Sequence, residues 1–254
     1  AQADEADTQA ALDEITVSAT RTGTSAKDTP AAVYTVRQDQ IQHHQMQVDL
    51  SESLAAVPGV QIKNRRNYAQ DTQISVRGFG ARTAFGVRGV RIYVDDIPAT
   101  LPDGQGAISH IDLGSARRIE VLNGPMSALY GNASGGVMLV QSEEGQNPPS
   151  IETHANAGRY GTYQYGIKAS GGGNGKELPA YMLSLARFQT DGYRDHSSAF
   201  KNMANANVKW QLDNGATLKL IANSVNTRAD DPQGLTRAQW QQHPRQASPS
   251  AIAY

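Results

Sequence analysis

Between residues 72 and 94 the chain reads TQISVRGFGARTAFGVRGVRIYV, with four arginines and no acidic side chain. Arg77, Arg82, Arg88 and Arg91 are spaced through glycine-rich sequence that also carries Phe79 and Phe85. A guanidinium grips a planar anion through paired charge-assisted hydrogen bonds and stacks on flat rings. The chemistry this cluster suits is capture of a planar anionic ligand. Arg91 flanks a β-branched run, so Arg82, Phe85 and Arg88 are the substrate-binding candidates of this stretch. A second turn-rich segment, ATLPDGQGAISH, adds Asp103, Gln105 and, less centrally, His110.

Other groupings carry less chemistry. His43 and His44 are adjacent, so on a helix they point apart, and no third ligand accompanies them. Asp95-Asp96 and Asp230-Asp231 lack the spaced oxygen pattern of a calcium loop. GNASGG, residues 131–136, has no Gly-Lys-Ser/Thr ending and is a poor phosphate loop; Asn132 fits a glycosylation signal only formally. No histidine sits in a nucleophile–base context, so no catalytic residue, resident cofactor or metal is expected. With 23 basic against 24 acidic residues, no global field favours nucleic acid. The chain has no cysteine, which excludes disulfides and thiolate metal sites. No apolar run reaches the roughly 18 residues of a membrane-spanning helix.

The elements that must hold these residues fall into two regions, divided near EEGQNPPS, residues 143–150. Before it, strand and helix signals alternate. Asp49 and Glu52 are spaced as a capping box, Leu50, Leu54 and Val57 follow at helical spacing, and Pro58-Gly59 stops the helix. TQISVRG, RIYVDDIP, RIEVLNG and GGVMLVQ are short β-branched runs ended by turn residues. This is an α+β unit with a small mixed sheet. Beyond the boundary the period is strictly two. Tyr163, Tyr165, Ile167 and Ala169 oppose Gln164, Lys168 and Ser170; Ala204, Ala206, Val208, Trp210 and Leu212 oppose Asn205, Asn207, Lys209 and Gln211. Five antiparallel strands are expected at 151–158, 163–171, 180–190, 203–212 and 216–227, with Asp213-Asn214-Gly215 as a hairpin turn. Such ribbons fit either a soluble sheet with one wet face or a membrane barrel with a polar lumen.

Five pieces in order narrow that choice. LSESLAAVPGVQI, TQISVRGFG, IYVDDIPA and RRIEVLNGPMSALYGNASGGVMLV together resemble the plug domain of TonB-dependent outer-membrane receptors, DEITVSA upstream resembles their short N-terminal energy-coupling box, and the hairpins after them resemble the first strands of those receptors' barrel. The resemblance implies an α+β plug domain with a small mixed sheet, followed by the first ~5 antiparallel strands of a truncated transmembrane β-barrel; barrels of this kind close with roughly 22 strands. It divides the chain into a disordered leader (1–12), a TonB box (13–20), a plug (21–145) and an incomplete barrel (146–254). An internal start or a mature terminus after signal cleavage would both fit the leader.

The resemblance also implies roles. Asp13, Glu14, Ile15, Thr16, Val17, Ser18 and Ala19 would bind TonB, by adding an edge strand to the partner's sheet, with the inner-membrane energising complex behind it. Arg77, Glu120 and Asn123 would make the plug–barrel contact; the family pattern has arginine where this chain has Asn123, and an amide cannot make the same bidentate ion pair. The expected setting is the outer membrane of a Gram-negative bacterium, with lipid around the wall. The expected activity is uptake of a scarce small anionic ligand, a ferric siderophore or a quinone cofactor, with no bond made or broken. In detail, residues 67–106 and the stretches YGNASGGV, DGYRDHS and ADDPQGLT are most similar to the subgroup associated with pyrroloquinoline quinone. The rival expectation is a cell-surface recognition or adhesion β-protein that transports nothing.

Overall fold

A computed structural model of the chain describes residues 16–17, 24–25, 32–43, 45–64, 66–83, 86–101, 103–124, 130, 133–173 and 178–251. The expected leader, His44, Phe85, most of the single turn read from PMSALYG, and Asn132 lie outside the described residues. In the first region the order is β1 (Thr16–Val17), β2 (Thr24–Ser25), β3 (Ala32–Arg37), α1 (Gln38–Gln42), α2 (Leu50–Leu54), β4 (Val60–Lys63), β5 (Gln73–Val76), β6 (Val90–Val94), β7 (Ile97–Pro98), a 3-10 turn (Leu113–Ser115), β8 (Ala116–Asn123) and β9 (Gly136–Ser142). The capping box forms as expected. An Asp49 carboxylate oxygen accepts the Ser51 N–H at 2.7 Å, and Glu52 accepts the N–H of Asp49 at 3.0 Å. Glu52 also accepts from Gln47 and Val48, so one carboxylate satisfies three N–H groups at the helix start.

Five of the strands build a mixed sheet in the order β3-β8-β9-β6-β7, in which β6 and β9 run parallel and the other pairs antiparallel. β3 is an edge that the sequence reading had not assigned. One face carries Ile119, Val121, Met138, Val140 and Ile92, packed under Ile41, Leu50, Leu54 and Ile74. The other carries Leu122, Val137, Leu139 and Tyr93 against Tyr130 and Ala133. Both faces of β9 are therefore dry, which is why GVMLV reads as a continuous apolar run, while β8 carries Arg117, Arg118 and Glu120 among its apolar residues.

The second region is one antiparallel sheet in simple sequence order: β10 (Ser150–Gly158), β11 (Thr162–Gly171), β12 (Ala180–Thr190), β13 (Ala199–Gln211) and β14 (Thr217–Ala229). β13 begins four residues earlier than its sequence suggested, because Lys201 and Asn202 dilute the alternation there. Gly215 closes the last hairpin at φ +81°, with the Leu212 N–H donating to Ala216 O at 2.8 Å. A short helix, α3 (Arg237–Gln242), is capped by Thr236. β10 and β14 are the two edges, so the wall is an open arc.

The bend between β8 and β9 depends on Gly136, at φ +138°, where an added Cβ would lie 2.2 Å from the Leu122 carbonyl oxygen. Gly136→Ala should therefore strain both backbone and contact, costing about 2 kcal/mol or more, with the loss read as a lower denaturant midpoint of the detergent-solubilised protein; an unchanged midpoint would show that the bend tolerates a side chain.

Candidate functional site

The arginine-bearing loop and the turn-rich segment after β7 meet at one end of the first region. Gly106 N–H donates to Val87 O at 2.7 Å and Leu101 N–H to Gln105 O at 2.7 Å, which stitches residues 86–89 to 99–107. Arg88 reaches across to Asp103: one guanidinium nitrogen lies 3.2 Å from a carboxylate oxygen and the other donates to the Asp103 carbonyl. Asp103 also accepts the Gln105 N–H. Arg82, Arg88, Gln105 and the half-exposed ring of Phe79 line an open hollow of about 930 Å³. Four of the sequence candidates thus converge: Arg82 and Gln105 line the hollow, and Arg88 is braced by Asp103. Phe85 lies outside the described residues. His110 sits apart, where burial first and Lys201 second hold its imidazole below the ordinary pKa; its carbonyl accepts from Asn223 of β14.

The three residues expected at the plug–barrel contact do not converge. Arg77, at φ +50°, donates its N–H to Gly59 O, and its side chain passes Gly59 beside the Asn123 amide. Asn123 is buried; its Nδ2 donates to Pro58 O at 3.2 Å and its Oδ1 has no hydrogen-bond partner among the described residues. Glu120, three residues back on β8, points to the opposite face, fully buried with Arg118 at 3.1 Å.

What fastens the two regions together was missed in the sequence. Lys168 of β11, almost wholly buried, lies 2.5 Å from Glu143 and 3.1 Å from Glu152, and Gln42 of α1 donates to Glu143 at 2.7 Å. Lys209 of β13 pairs with Glu144 at 2.9 Å, and Lys219 of β14 with Asp95 at 3.2 Å. Three carboxylates of the first region thus meet three lysines on the inner face of the wall. Asn205 and Asn207 of β13 donate to Ser115 Oγ and to Glu143 O, and Tyr68 stacks on Phe188 at 4.8 Å. Glu143 and Glu144 had served only to mark a boundary, and Asp95 only as a rejected calcium ligand. The available signal was the spacing of Lys168, Lys209 and Lys219, each on the polar side of its strand.

At the upper end Asp231 ties the chain beyond β14 back to residues 67–70. Its carboxylate accepts from Asn67 at 2.7 Å and Gln70 at 2.8 Å. Burial raises its pKa, but the Gln233 N–H and these two amides outweigh that and hold it below the usual 3.8. Of the expected TonB box, Thr16 and Val17 form β1 and pair with β2 (Thr16 with Ser25, Val17 with Thr24) in a ribbon separate from the five-stranded sheet; Asp13, Glu14, Ile15, Ser18 and Ala19 lie outside the described residues.

A mixed sheet held by its acidic rim against the polar face of a curved antiparallel wall is the geometry of a plug seated in a barrel. Residues 25–137 match the family model of the TonB-dependent Receptor Plug Domain; this part of the chain is a plug domain of that family, and the strands after it match the N-terminal part of TonB-dependent receptors. Among relatives, the vitamin B12 transporter BtuB of Photobacterium profundum is 33% identical over 162 residues, 63% of this chain and 25% of that protein. The metal-pseudopaline receptor CntO of Pseudomonas aeruginosa is 26% identical over 125 residues, 49% of this chain and 18% of that one. In fold, the unliganded ferric citrate transporter FecA matches 88% of this chain and 35% of its own with a TM-score of 0.69 at 18% identity. The ferric yersiniabactin uptake receptor FyuA of Yersinia pestis gives 0.64 at 21% identity, over 80% of this chain and 33% of its own. The chain spans a third or less of the length of most of these proteins.

Two measurements probe the seam. Lys168→Met leaves Glu143 buried without its cation and should destabilise by about 3–5 kcal/mol, with most of that recovered when Glu143→Gln is added; equal losses in single and double variants would dissolve the pair. Because the folded pKa of Asp231 is depressed, its contribution is fully present above about pH 4 and fades as pH falls through the folded value. Proteolytic cutting between residues 64 and 71 should rise below pH 4, and Asp231→Asn should remove that dependence.

Proposed function

We propose that this chain is the N-terminal part of a TonB-dependent active transporter in the outer membrane of a Gram-negative bacterium. In this reading residues 1–12 are a leader, 13–20 the TonB box, 21–145 the plug and 146–254 the beginning of the barrel. The observation that carries it is the two-sidedness of the wall. Its inner face spends Lys168, Lys209 and Lys219 on plug carboxylates, while its outer face exposes Tyr163, Tyr165, Ile167, Leu183, Leu185, Leu218 and Leu220. A soluble sheet would show the reverse, with charge outside and oil within.

The ligand is a small anion held over the hollow between the two loops by Arg82, with Arg88 set by Asp103 and with Gln105 as a polar contact. Phe79 offers a flat surface beside them. Relatives named for metal-pseudopaline, ferric enterobactin, hemin and vitamin B12 support a scarce, bulky cargo. Within that class a ferric siderophore is the first choice. The narrower likeness to the pyrroloquinoline quinone subgroup rests on sequence stretches alone, although a planar tricarboxylate would suit the same guanidinium groups. Arg77, Glu120 and Asn123 lie against plug residues Gly59, Arg118 and Pro58 and are given no part in touching cargo. Force enters through residues 13–19, which pair with TonB, and no chemistry is performed on the ligand.

The test uses cells producing the whole receptor that carries this chain. Deleting residues 13–19 should reduce uptake to background while ligand binding at the surface persists. Uptake that survives the deletion would overturn the reading, and surface binding or adhesion without any uptake in the intact protein would favour a recognition protein instead. Arg82→Ala should weaken binding of the transported anion roughly tenfold or more, the scale of one lost charge-assisted hydrogen bond; unchanged affinity would move the site elsewhere.

A further inference from the structure

The outer surface of the wall carries a feature that transport does not use. On β11 to β14 the residues turned away from the plug fall into level rows, because the strands pair without a shift. One row is Tyr165, Arg187, Asn202 and Asn226: a phenol, a guanidinium and two amides side by side. The next row towards the plug's acidic rim is Ile167, Leu185, Ala204 and Ser224. There the large residues of β11 and β12 stand beside small ones on β13 and β14, and the surface drops. These two rows line a groove of about 530 Å³, mostly apolar, with its polar edge along one side.

Arg187 stands at that edge without a carboxylate. Its guanidinium lies 5.8 Å from the centre of the Phe200 ring and donates to Asn202 at 3.4 Å and Gln189 at 3.3 Å, both neutral acceptors at long range. Arg228, across the sheet at the level of Phe200, also faces outward. No Asp or Glu occurs among the outward-facing positions of the five strands, so this edge is purely cationic. A trough for a hydrocarbon chain, bounded on one side by a guanidinium and amide donors, is complementary to one kind of molecule.

We propose that this groove binds lipid A of the outer leaflet, with one acyl chain laid over Leu185, Ala204 and Ser224 and one of its phosphates held by Arg187. The assignment rests on the outer-membrane reading given under Proposed function, with the Arg187 level taken as the outward one. That end carries the chain beyond β14, which folds back there onto residues 67–70, while the Asp213-Asn214-Gly215 turn lies at the other. The contribution of the amides is donors for the remaining phosphate oxygens; the Tyr165 ring, half exposed, covers the start of the chain.

The experiment is native mass spectrometry of the receptor extracted from outer membranes in mild detergent, with lipid A, phosphatidylglycerol and phosphatidylcholine added back separately. Lipid A, doubly phosphorylated and acylated, should remain bound to the wild type and be retained at least fivefold less by Arg187→Gln. Ala204→Leu, which fills the trough without touching the charge, should lower retention similarly while leaving the denaturant midpoint close to that of the wild type. Equal retention of all three lipids, or no change in either variant, would overturn the proposal, as would displacement of lipid by a copurifying protein bound at Arg187. Loss of uptake in an otherwise lipid-retaining protein would count against the transport reading alone.

Discussion

A lysine ammonium on the inner face of a β-wall cannot be left dry without an anion beside it. Stripping water from an unpaired charge costs several kcal/mol, more than any single packing contact returns. Lys168 is the sharpest instance, with only 4% of its side chain exposed. It finds Glu143 and Glu152 as partners, and Gln42 supplies a further hydrogen bond to Glu143. Removing the plug would leave Lys168 with only the wall's own Glu152. The same holds, less severely, for Lys209 with Glu144 and Lys219 with Asp95. The wall therefore specifies what must fill it: a body whose rim is acidic at three heights matching three strands.

The plug meets that demand by keeping its oil to itself. Its two apolar clusters lie on the two faces of its own sheet and under its own helices, while its contact with the wall is made by ion pairs, amides and one ring pair, Tyr68 with Phe188. Net worth per hydrogen bond is about 1 kcal/mol because water replaces what is broken. A seam of this kind holds a register yet separates without exposing a large apolar surface. The apolar side of the wall faces outward and would be covered by lipid in the proposed setting.

The legible parts of the sequence were those governed by short-range rules. Asp49 with Glu52 and Asp213-Asn214-Gly215 specify a cap and a turn from neighbouring residues and formed as read, whereas the helix ends at Leu54, short of Val57 and of the Pro58-Gly59 stop. Period-two alternation located β10, β11 and β12 to within a residue, because each strand has one wet or polar side. The missed pieces depend on distant partners. β3 has only half-buried residues along most of its length and becomes a strand by pairing with β8, some ninety residues on. Asp95 and Glu143 look like solvated turn and linker charges until β14 and β11 arrive with lysines. In the candidate site the convergence of Arg82 with Gln105 was legible from turn-rich loops, but the Arg88–Asp103 brace was not, since both had been read as ligand contacts.

The topology also fixes where tension along the chain would first be felt. β3 is an edge of the plug sheet, hydrogen-bonded on one side only, and its first rung pairs Ala32 with Asn123. Chain on the N-terminal side of residue 32 leads to β1 and β2, which form their own two-rung ribbon outside that sheet. A pull from that side therefore opens an antiparallel ladder from its end, one rung at a time, rather than shearing all six together. The rung that yields first belongs to Asn123, whose buried Oδ1 lacks a partner among the described residues. The amide leaves the first rung held by its backbone bonds and one contact to Pro58. The ion pairs of Glu143 and Asp95 lie just past the ends of β9 and β6, two strands inside the sheet. Edge strand first and acidic rim last is the order the hydrogen-bond connectivity imposes, and it lets the N-terminal edge of the plug loosen while Glu143 still holds Lys168 in place.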